Sequence, residues 1–237
     1  MFSLLRPYIF GLDPEVAHDL AIKSLKLNVL PKSFFQVNGE EILETKLFKK
    51  KLNNPIGLAA GFDKSAEVYN SLFKLGFGFV EVGTITPMRQ SGNPKPRIFR
   101  LEKDKAMINR LGFNNDGMEA VSDRLEKRPP DDFLGINVGP NKDTKDKTLD
   151  FITCFNKFNK LASYITVNIS SPNTEGLRDF HEERLLSDLL SKLNQIKRNK
   201  KIQCPIVLKI SPDIEEKEIY KKNKLILKFK KFFANTL

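Results

Sequence analysis

The alternation of short apolar runs with helix-patterned segments constrains the fold of this chain more than any other feature of its sequence. Five apolar runs have the length of buried strands, and the first four are each followed by helical spacing. The runs span residues 55–60, 77–82, 133–138, 164–167 and 205–210, and the helical segments 65–75, 118–127, 149–161 and 185–196. This alternation is typical of parallel βα units, and near-continuous apolar strands indicate a sheet buried on both faces.

Two architectures satisfy this pattern, a (β/α)8 barrel and an open doubly wound sheet. A barrel takes its active site from the carboxyl ends of many strands, whereas an open sheet concentrates its site at one switch point. The carboxyl-terminal end of every predicted strand carries polar residues, namely Lys64, Thr84, Asn137, Asn168 with Ser171, and Lys209. No strand precedes a GxGxxG dinucleotide fingerprint. We therefore predict an α/β fold of the (β/α)8 TIM-barrel family, with about the first five βα units and a small N-terminal helical element.

Composition and charge exclude several classes of protein. The chain has 237 residues, of which 40% are hydrophobic, as in an ordinary globular protein. No apolar run approaches the roughly 18 residues of a membrane span, and residues 1–12 lack a secretory signal. The net charge is +11, but residues 220–237 contribute six lysines and no acid, which leaves +5 elsewhere. This uneven distribution argues against a nucleic-acid partner.

The cysteines and histidines do not form a metal-binding pattern. Cys154 and Cys204 are far apart and outside any CxxC motif, so we predict that both are reduced core thiols. His18 and His181 add no ligand spacing to them. No metal site is expected.

The N-terminal segment predicts a helix that begins at residues 13–15, because Asp can cap, Pro suits the first turn and Glu favours the positive end of the helix dipole. Its apolar residues are predicted to form one broad face: Val16, Ala17, Leu20, Ala21 and Leu27, widened by Ile22 and Leu25. This face indicates either a helix packed on the domain core or an element for a membrane surface or apolar ligand.

The stretch 168–174 ends the fourth predicted strand in Asn, Ser, Ser, Pro, Asn and Thr. These are common turn residues, so by itself the stretch could be a plain strand end. It could equally be a site, since Asn offers a donor and an acceptor, Ser offers a hydroxyl, and Pro172 stiffens the loop.

Six motifs occur together in one order and spacing. They span residues 54–64, 81–87, 92–100, 108–115, 134–139 and 168–174, and residues 10–18 add an N-terminal helix signature. Over about residues 1–213 the chain resembles dihydroorotate dehydrogenase of the quinone-linked, membrane-associated class. The resemblance implies oxidation of dihydroorotate to orotate in pyrimidine biosynthesis, with FMN as the hydride acceptor and a quinone as the final electron acceptor.

The resemblance also implies roles for individual residues. Ser171 matches the catalytic base, where the soluble classes use Cys; a free Ser hydroxyl is a poor base and needs a closed site. The substrate-binding positions are Lys64, Asn109, Arg110, Leu111, Gly112, Phe113, Asn168 and Asn173. The FMN-binding positions are Ala60, Gly61, Phe62, Asp63, Lys64, Thr84, Asn137, Asn168 and Lys209. Lys209 would stabilise the negative charge that hydride transfer creates.

The resemblance divides the chain into three parts. Residues 1–45 are expected to form a helical element that associates with quinone and with the cytoplasmic side of the membrane, as a peripheral contact. Residues 46–213 are expected to form a partial FMN-dependent barrel, and residues 214–237 a basic tail without a matching motif. The tail suggests a frameshifted or truncated reading frame and a disordered end, although a helix that covers the open edge is also possible.

A partial barrel predicts weak function. The loops after strands seven and eight commonly seat a phosphate, and an open sheet exposes two edges, so we expect weak or absent FMN binding and a tendency to aggregate. An inactive fragment is therefore the main alternative to the flavoenzyme. A basic protein that binds nucleic acid or anionic lipid through its tail, and a non-flavin barrel lyase or isomerase, are further alternatives.

Overall fold

The structure is a computed structural model that describes residues 2–27, 41–128 and 132–228. Part of the predicted N-terminal element, residues 28–40, and the end of the predicted tail, residues 229–237, lie outside the described residues.

The described residues alternate strands with helices, as the sequence predicts. The helices are α1 (Phe2–Phe10), α2 (Pro14–Lys26), α3 (Tyr69–Lys74), α4 (Met118–Leu125), α5 (Lys147–Phe158), α6 (Glu183–Asn199) and α7 (Glu216–Lys228). The strands are β1 (Thr45–Leu47), β2 (Lys50–Leu52), β3 (Gly57–Leu58), β4 (Phe79–Ile85), β5 (Ile98–Leu101), β6 (Ala106–Asn109), β7 (Leu134–Val138), β8 (Tyr164–Asn168) and β9 (Ile206–Lys209). Short 3-10 helices span Glu41–Leu43 and Arg178–His181.

Five strands form one parallel sheet in the order β3-β4-β7-β8-β9. Each strand therefore pairs with the sheet strand that precedes it in the chain, without the reversal of order that defines a doubly wound sheet. Five sequential parallel strands form part of an eight-stranded barrel. The predicted α/β barrel class is confirmed as a partial barrel.

The outer face of this sheet packs against the helices. Strands β7 and β8 are buried along their whole length, and their apolar residues alternate with polar ones. Ile136 and Ile165 join Phe155 of α5 and Leu189 of α6 in one large core cluster. Both cysteines lie in this cluster, so their predicted core position is confirmed, and burial raises the pKa of the Cys204 thiol to about 12.

A second, smaller cluster contains Phe133, Tyr164 and Leu52, with Phe48 packed against it. Tyr164 begins β8, so this aromatic cluster lies at the amino ends of the strands, opposite the end where the predicted site residues lie. The β1–β2 hairpin supplies Leu52 and Phe48. The amino ends of the strands are thus apolar.

The first predicted strand and helix are shorter than expected. Strand β3 contains only two residues, and α3 begins at Tyr69 rather than near residue 65. The reason is a turn that Asp63 stabilises, since its carboxylate accepts hydrogen bonds of 2.8 Å from the backbone amides of Glu67 and Val68. Because both amides donate to this carboxylate, the chain turns here and the helix begins only at Tyr69.

The segment predicted as a long loop after residue 87 contains the antiparallel hairpin β5–β6, in which Ile98 pairs with Asn109. Every residue of β6 is exposed, so the hairpin lacks the buried stripe that reveals a strand in a sequence.

The apolar face predicted for α2 is divided between two sides of the helix. Leu25 and Ile22 pack on the core, whereas Val16, Leu20 and Leu27 are exposed. The apolar residues therefore do not act as one face, because one end of the apolar arc packs on the core and the other end projects away from it.

The tail is helical where the structure describes it. Helix α7 packs against α6, and Leu225 belongs to the large core cluster with only 4% of its surface exposed. Glu218 forms ion pairs with the exposed Lys221 and with Lys222, which is buried. The expectation of a disordered end is thus wrong for residues 216–228, since the tail has an apolar side that packs.

Candidate active site

A cavity of about 1110 Å³ opens at the carboxyl ends of the parallel strands. All but three of the predicted site residues line it. They are Ala60, Gly61, Phe62, Lys64, Thr84, Asn109, Leu111, Gly112, Phe113, Asn168, Ser171, Asn173 and Lys209. These residues come from five loops or strand ends, which the sheet order and the β5–β6 hairpin bring around one space.

Asn137, Asp63 and Arg110 do not line the cavity. Asn137 is fully buried beneath it. Asp63 stabilises the turn before α3, and burial raises the pKa of its carboxyl. Arg110 donates to the carbonyl of Pro96 at 2.9 Å and stacks over the ring of Phe99. Asn137 still acts on the cavity through hydrogen bonds, and the roles of all three stay predictions.

A hydrogen-bonded network forms the floor of the cavity. The hydroxyl of Thr84 donates to Oδ1 of Asn137 at 2.7 Å. Nδ2 of Asn168 donates to Oγ1 of Thr84 at 3.0 Å and to Oδ1 of Asn137 at 3.2 Å. Three adjacent strands, β4, β7 and β8, are thereby joined through side chains at their carboxyl ends. Such a network holds the polar atoms of the floor in one arrangement.

The loop after β8 carries the predicted base. Oγ of Ser171 accepts a hydrogen bond of 3.2 Å from the backbone amide of Asn173. The neighbouring Ser170 donates its hydroxyl to Oδ1 of Asn168 at 2.8 Å, and its carbonyl accepts from Nε of Arg178. The loop is thus tied at both ends, and Ser171 is held half-buried at the cavity wall.

Lys64 and His18 meet at the opposite wall. Nζ of Lys64 lies 3.0 Å from Nε2 of His18, whose ring packs edge-on against Phe62. Burial lowers the pKa of Lys64, and burial followed by the charge of Lys64 lowers the pKa of His18. A lysine in this environment can lose or share its proton more readily than a surface lysine.

The N-terminal helices close this side of the cavity through two arginines. Arg97 donates to both carboxylate oxygens of Glu15, with Nη2 to Oε1 at 2.6 Å. The hydrogen bonds from Arg97 lower the pKa of Glu15. Arg100 on β5 donates to the carbonyl of Leu12 at 2.7 Å. Helix α2 is therefore fastened to the hairpin that carries Asn109.

Several cavity residues were not among the predicted ones, notably His18, Arg100, Ser170 and Arg178. His18, Arg100 and Ser170 lie inside the motifs of residues 10–18, 92–100 and 168–174, whereas Arg178 lies outside all of them. Their motif membership was a signal that could have nominated them. In the described ranges 2–27, 41–128 and 132–228, no group of three His, Cys, Asp or Glu side chains could hold a metal ion.

The sequence model of one protein family, described as dihydroorotate dehydrogenase, matches residues 42–234. This match extends beyond residue 213, the expected end of the resemblance. The predicted domain boundaries stay predictions. Two curated relatives are named dihydroorotate dehydrogenase (quinone). The one from Bartonella henselae is 50% identical, covering 90% of this chain and 59% of the relative. The one from Rhodopseudomonas palustris is 46% identical, covering 92% of this chain and 60% of the relative.

Solved structures show the same similarity. The ligand-free dihydroorotate dehydrogenase of Eimeria tenella matches with a TM-score of 0.83 and 36% identity, covering 91% of this chain and 66% of that one. The same enzyme in complex with ferulenol matches with a TM-score of 0.83 and 35% identity, covering 93% and 66%. The chain thus spans about three fifths of the length of the two curated relatives.

Proposed function

Because the chain belongs to the dihydroorotate dehydrogenase family, we propose that its cavity binds FMN and dihydroorotate and serves the oxidation of dihydroorotate to orotate in pyrimidine biosynthesis. One observation supports this proposal most strongly. Residues that the sequence predicts as site residues come from five loops or strand ends and line one cavity. The names of the relatives support a quinone as the final electron acceptor. Since the chain spans about three fifths of those relatives, their whole activity is carried over as a proposal.

The residues of the cavity fit a flat cofactor. Its volume of about 1110 Å³ exceeds that of most single-ligand pockets, so a cofactor and a small substrate can share it. Gly61 has a φ of +113°, and a Cβ built on it would meet no atom within 4 Å, so this wall lets a flat ring approach the backbone. The amides and hydroxyl of the floor suit a pyrimidine edge, which carries donors and acceptors.

FMN, when bound, supplies the acceptor for a hydride. The side chains of the chain would supply binding, orientation and proton transfer. Asn109 and Asn173 can each donate to and accept from the substrate ring, and the charge of Lys64 favours an anionic group. Oγ of Ser171 would take the proton from the substrate carbon, aided by enclosure of the cavity beneath the N-terminal helices. Lys209, next to Asn168 in the sheet register, would stabilise negative charge on the cofactor side.

We also propose that the N-terminal helices rest on the cytoplasmic surface of a membrane and admit quinone. Val16, Leu20 and Leu27 expose apolar surface on one side of α2, with Leu27 73% exposed, and Tyr8 of α1 is 79% exposed. Apolar side chains on the outer side of a helix are typical of interfacial elements. In the described part of the chain, no helix is both long and apolar enough to cross a bilayer.

The proposal is tested by titrating the purified chain with FMN, to high FMN concentration so that weak binding is measured. Dihydroorotate is then added without oxygen. The expected result is quenching of flavin fluorescence on binding, followed by loss of the yellow absorbance at a rate that depends on dihydroorotate. The inactive-fragment alternative predicts neither signal. Binding without bleaching would retain the flavin site and reject the proposed substrate.

A further inference from the structure

A carboxylate on the inner face of the sheet lies below the residues that line the cavity. Glu81, in the middle of β4, accepts hydrogen bonds of 2.8 Å from Nδ2 of Asn137 at Oε1 and from the hydroxyl of Thr166 at Oε2. Asn137 and Thr166 are register partners on β7 and β8, so one carboxylate joins three adjacent strands. Burial, and then the charge of Glu81, raises the pKa of the nearby Tyr164.

The chemistry of a carboxylate gives this network a direction. An ionised carboxylate only accepts hydrogen bonds, so Asn137 must turn its NH₂ group toward Glu81. Oδ1 of Asn137 therefore faces the cavity side, where it accepts from Thr84 and Asn168. Because the hydroxyl of Thr84 donates to Asn137, its oxygen accepts a hydrogen bond from Nδ2 of Asn168.

The direction continues to the wall of the cavity. Because Asn168 uses its NH₂ group on Thr84 and Asn137, its Oδ1 points to Ser170, where it accepts from the backbone amide at 3.0 Å and from the hydroxyl at 2.8 Å. Asn168 lines the cavity and is only 4% exposed. The orientation of its amide is thus held from two ends, by the backbone amide of Ser170 and, two hydrogen bonds away, by Glu81.

We propose that Glu81 is a positioning residue that sets the donor–acceptor orientation of Asn137 and, through it, helps to hold the amide of Asn168, and so influences which atoms the cavity floor presents to a flavin and a pyrimidine. This inference rests on the proposed function for the identity of the ligand. The orientation of the two amides does not depend on the proposed function, and it can be measured in the chain without FMN.

Complementary substitutions test the idea. E81L removes the acceptor and should weaken FMN affinity by about tenfold or more, since buried amides left unpaired are costly. E81Q retains an oxygen that can accept from Asn137, so its FMN affinity should stay within about threefold of that of the parent chain. N137D places two acceptors opposite each other and should behave like E81L. The double variant E81Q/N137D restores a donor opposite an acceptor, now with the NH₂ group on residue 81, and should recover most of the affinity.

Two readouts separate the inference from the function on which it rests. FMN affinity is measured by fluorescence, and the side-chain NH₂ signals of Asn168 are followed by NMR in the chain without FMN, assigned with N168D. E126L, which removes an exposed carboxylate, is the matched control and should change neither readout. If E81L does not fold, the recovery in E81Q/N137D relative to N137D decides the question.

Each outcome decides the inference. Asn168 signals that shift in E81L and N137D and return in E81Q/N137D support the inference, even if the parent chain fails to bind FMN and the proposed function is rejected. The inference would be overturned if the Asn168 signals stayed unchanged in E81L. It would also be overturned if the FMN affinity lost in N137D were not recovered in E81Q/N137D. A packing role for Glu81 predicts no such recovery, since the double variant restores hydrogen bonding rather than volume.

Discussion

The two faces of the central sheet use the same strands for different purposes. On the outer face, Ile136 and Ile165 pack with Phe155 in an apolar core. On the inner face of the same strands, Asn137 and Asn168 belong to the hydrogen-bonded floor of the cavity. Asn137 directly follows Ile136 on β7, and Asn168 is the last residue of β8. The alternation of side chains along a strand makes this division possible.

The comparison shows how stability and binding can be separated within single strands. Apolar contacts on the outer face contribute through the area they bury, which tolerates changes of shape to a degree. Polar contacts on the inner face depend on which atom donates and which accepts, so a change of one atom alters the site. Substitutions on the two faces should therefore have different consequences.

The largest expected effect is on chemistry, at the rim of the inner face. S171A removes the proposed base and should slow the bleaching of bound flavin by dihydroorotate by about 10²- to 10⁴-fold. The free energy of unfolding should change by less than about 0.5 kcal/mol, because Ser171 gives up only one accepted bond. Stopped-flow absorbance and urea unfolding measure the two quantities. S191A, on the surface of α6, is the control, and equal rates for both variants would remove Ser171 from the mechanism.

The next effect should fall on stability alone, on the outer face. Phe155 is fully buried, so F155A should lower the free energy of unfolding by about 3–5 kcal/mol through lost burial and a cavity. F155L should cost less, since it retains most of the volume. Urea unfolding measures the loss. A change below about 1 kcal/mol in F155A would mean that the outer face is not the main source of stability.

An intermediate effect is expected where the N-terminal helices attach. E15Q weakens the buried pair with Arg97 and should cost about 1.5–3 kcal/mol at neutral pH, as charged hydrogen bonds do. Because the folded-state pKa of Glu15 is lowered, its contribution is present above its ordinary pKa of 4.5 and is lost as pH falls through the folded pKa. The stability difference between parent chain and E15Q should therefore shrink below pH 4.5. A difference that persists unchanged in acid would assign it to packing.

The smallest effect is expected at the outermost layer. Lys192 and Asp188 form an exposed pair of 2.7 Å along α6. D188N should reduce the free energy of unfolding by about 0.3–0.5 kcal/mol, and the loss should fade in high salt. Urea unfolding at two salt concentrations tests this. A larger loss that salt does not screen would show that Asp188 contributes through its packing in the helix rather than through its charge.

Much of the sheet and most of the cavity wall could be predicted from the sequence. The apolar runs located β4, β7, β8 and β9 closely, because strands buried on both faces leave a continuous signal. Lys64, Asn168 and Ser171 follow such runs and were expected at one rim. The parallel strand order then required them to meet.

The remaining features depend on contacts that a local pattern cannot contain. His18 reaches Lys64 only because α2 folds back over residues far along the chain. The sequence does not distinguish Asn137, which is buried out of reach of the cavity, from Asn168, which lines it, since each lies at the end of an apolar strand. The division of α2 into a packed and an exposed side escaped prediction because both sides are apolar.

The sequential order of the strands also matters while the chain is being made. Each parallel strand after β3 pairs with a neighbour that is translated before it, so the sheet can lengthen one strand at a time. The bonds from Asn168 to Thr84 and Asn137 need only β4, β7 and β8. The hydrogen bonds of the floor therefore need no strand that follows β8 in the chain.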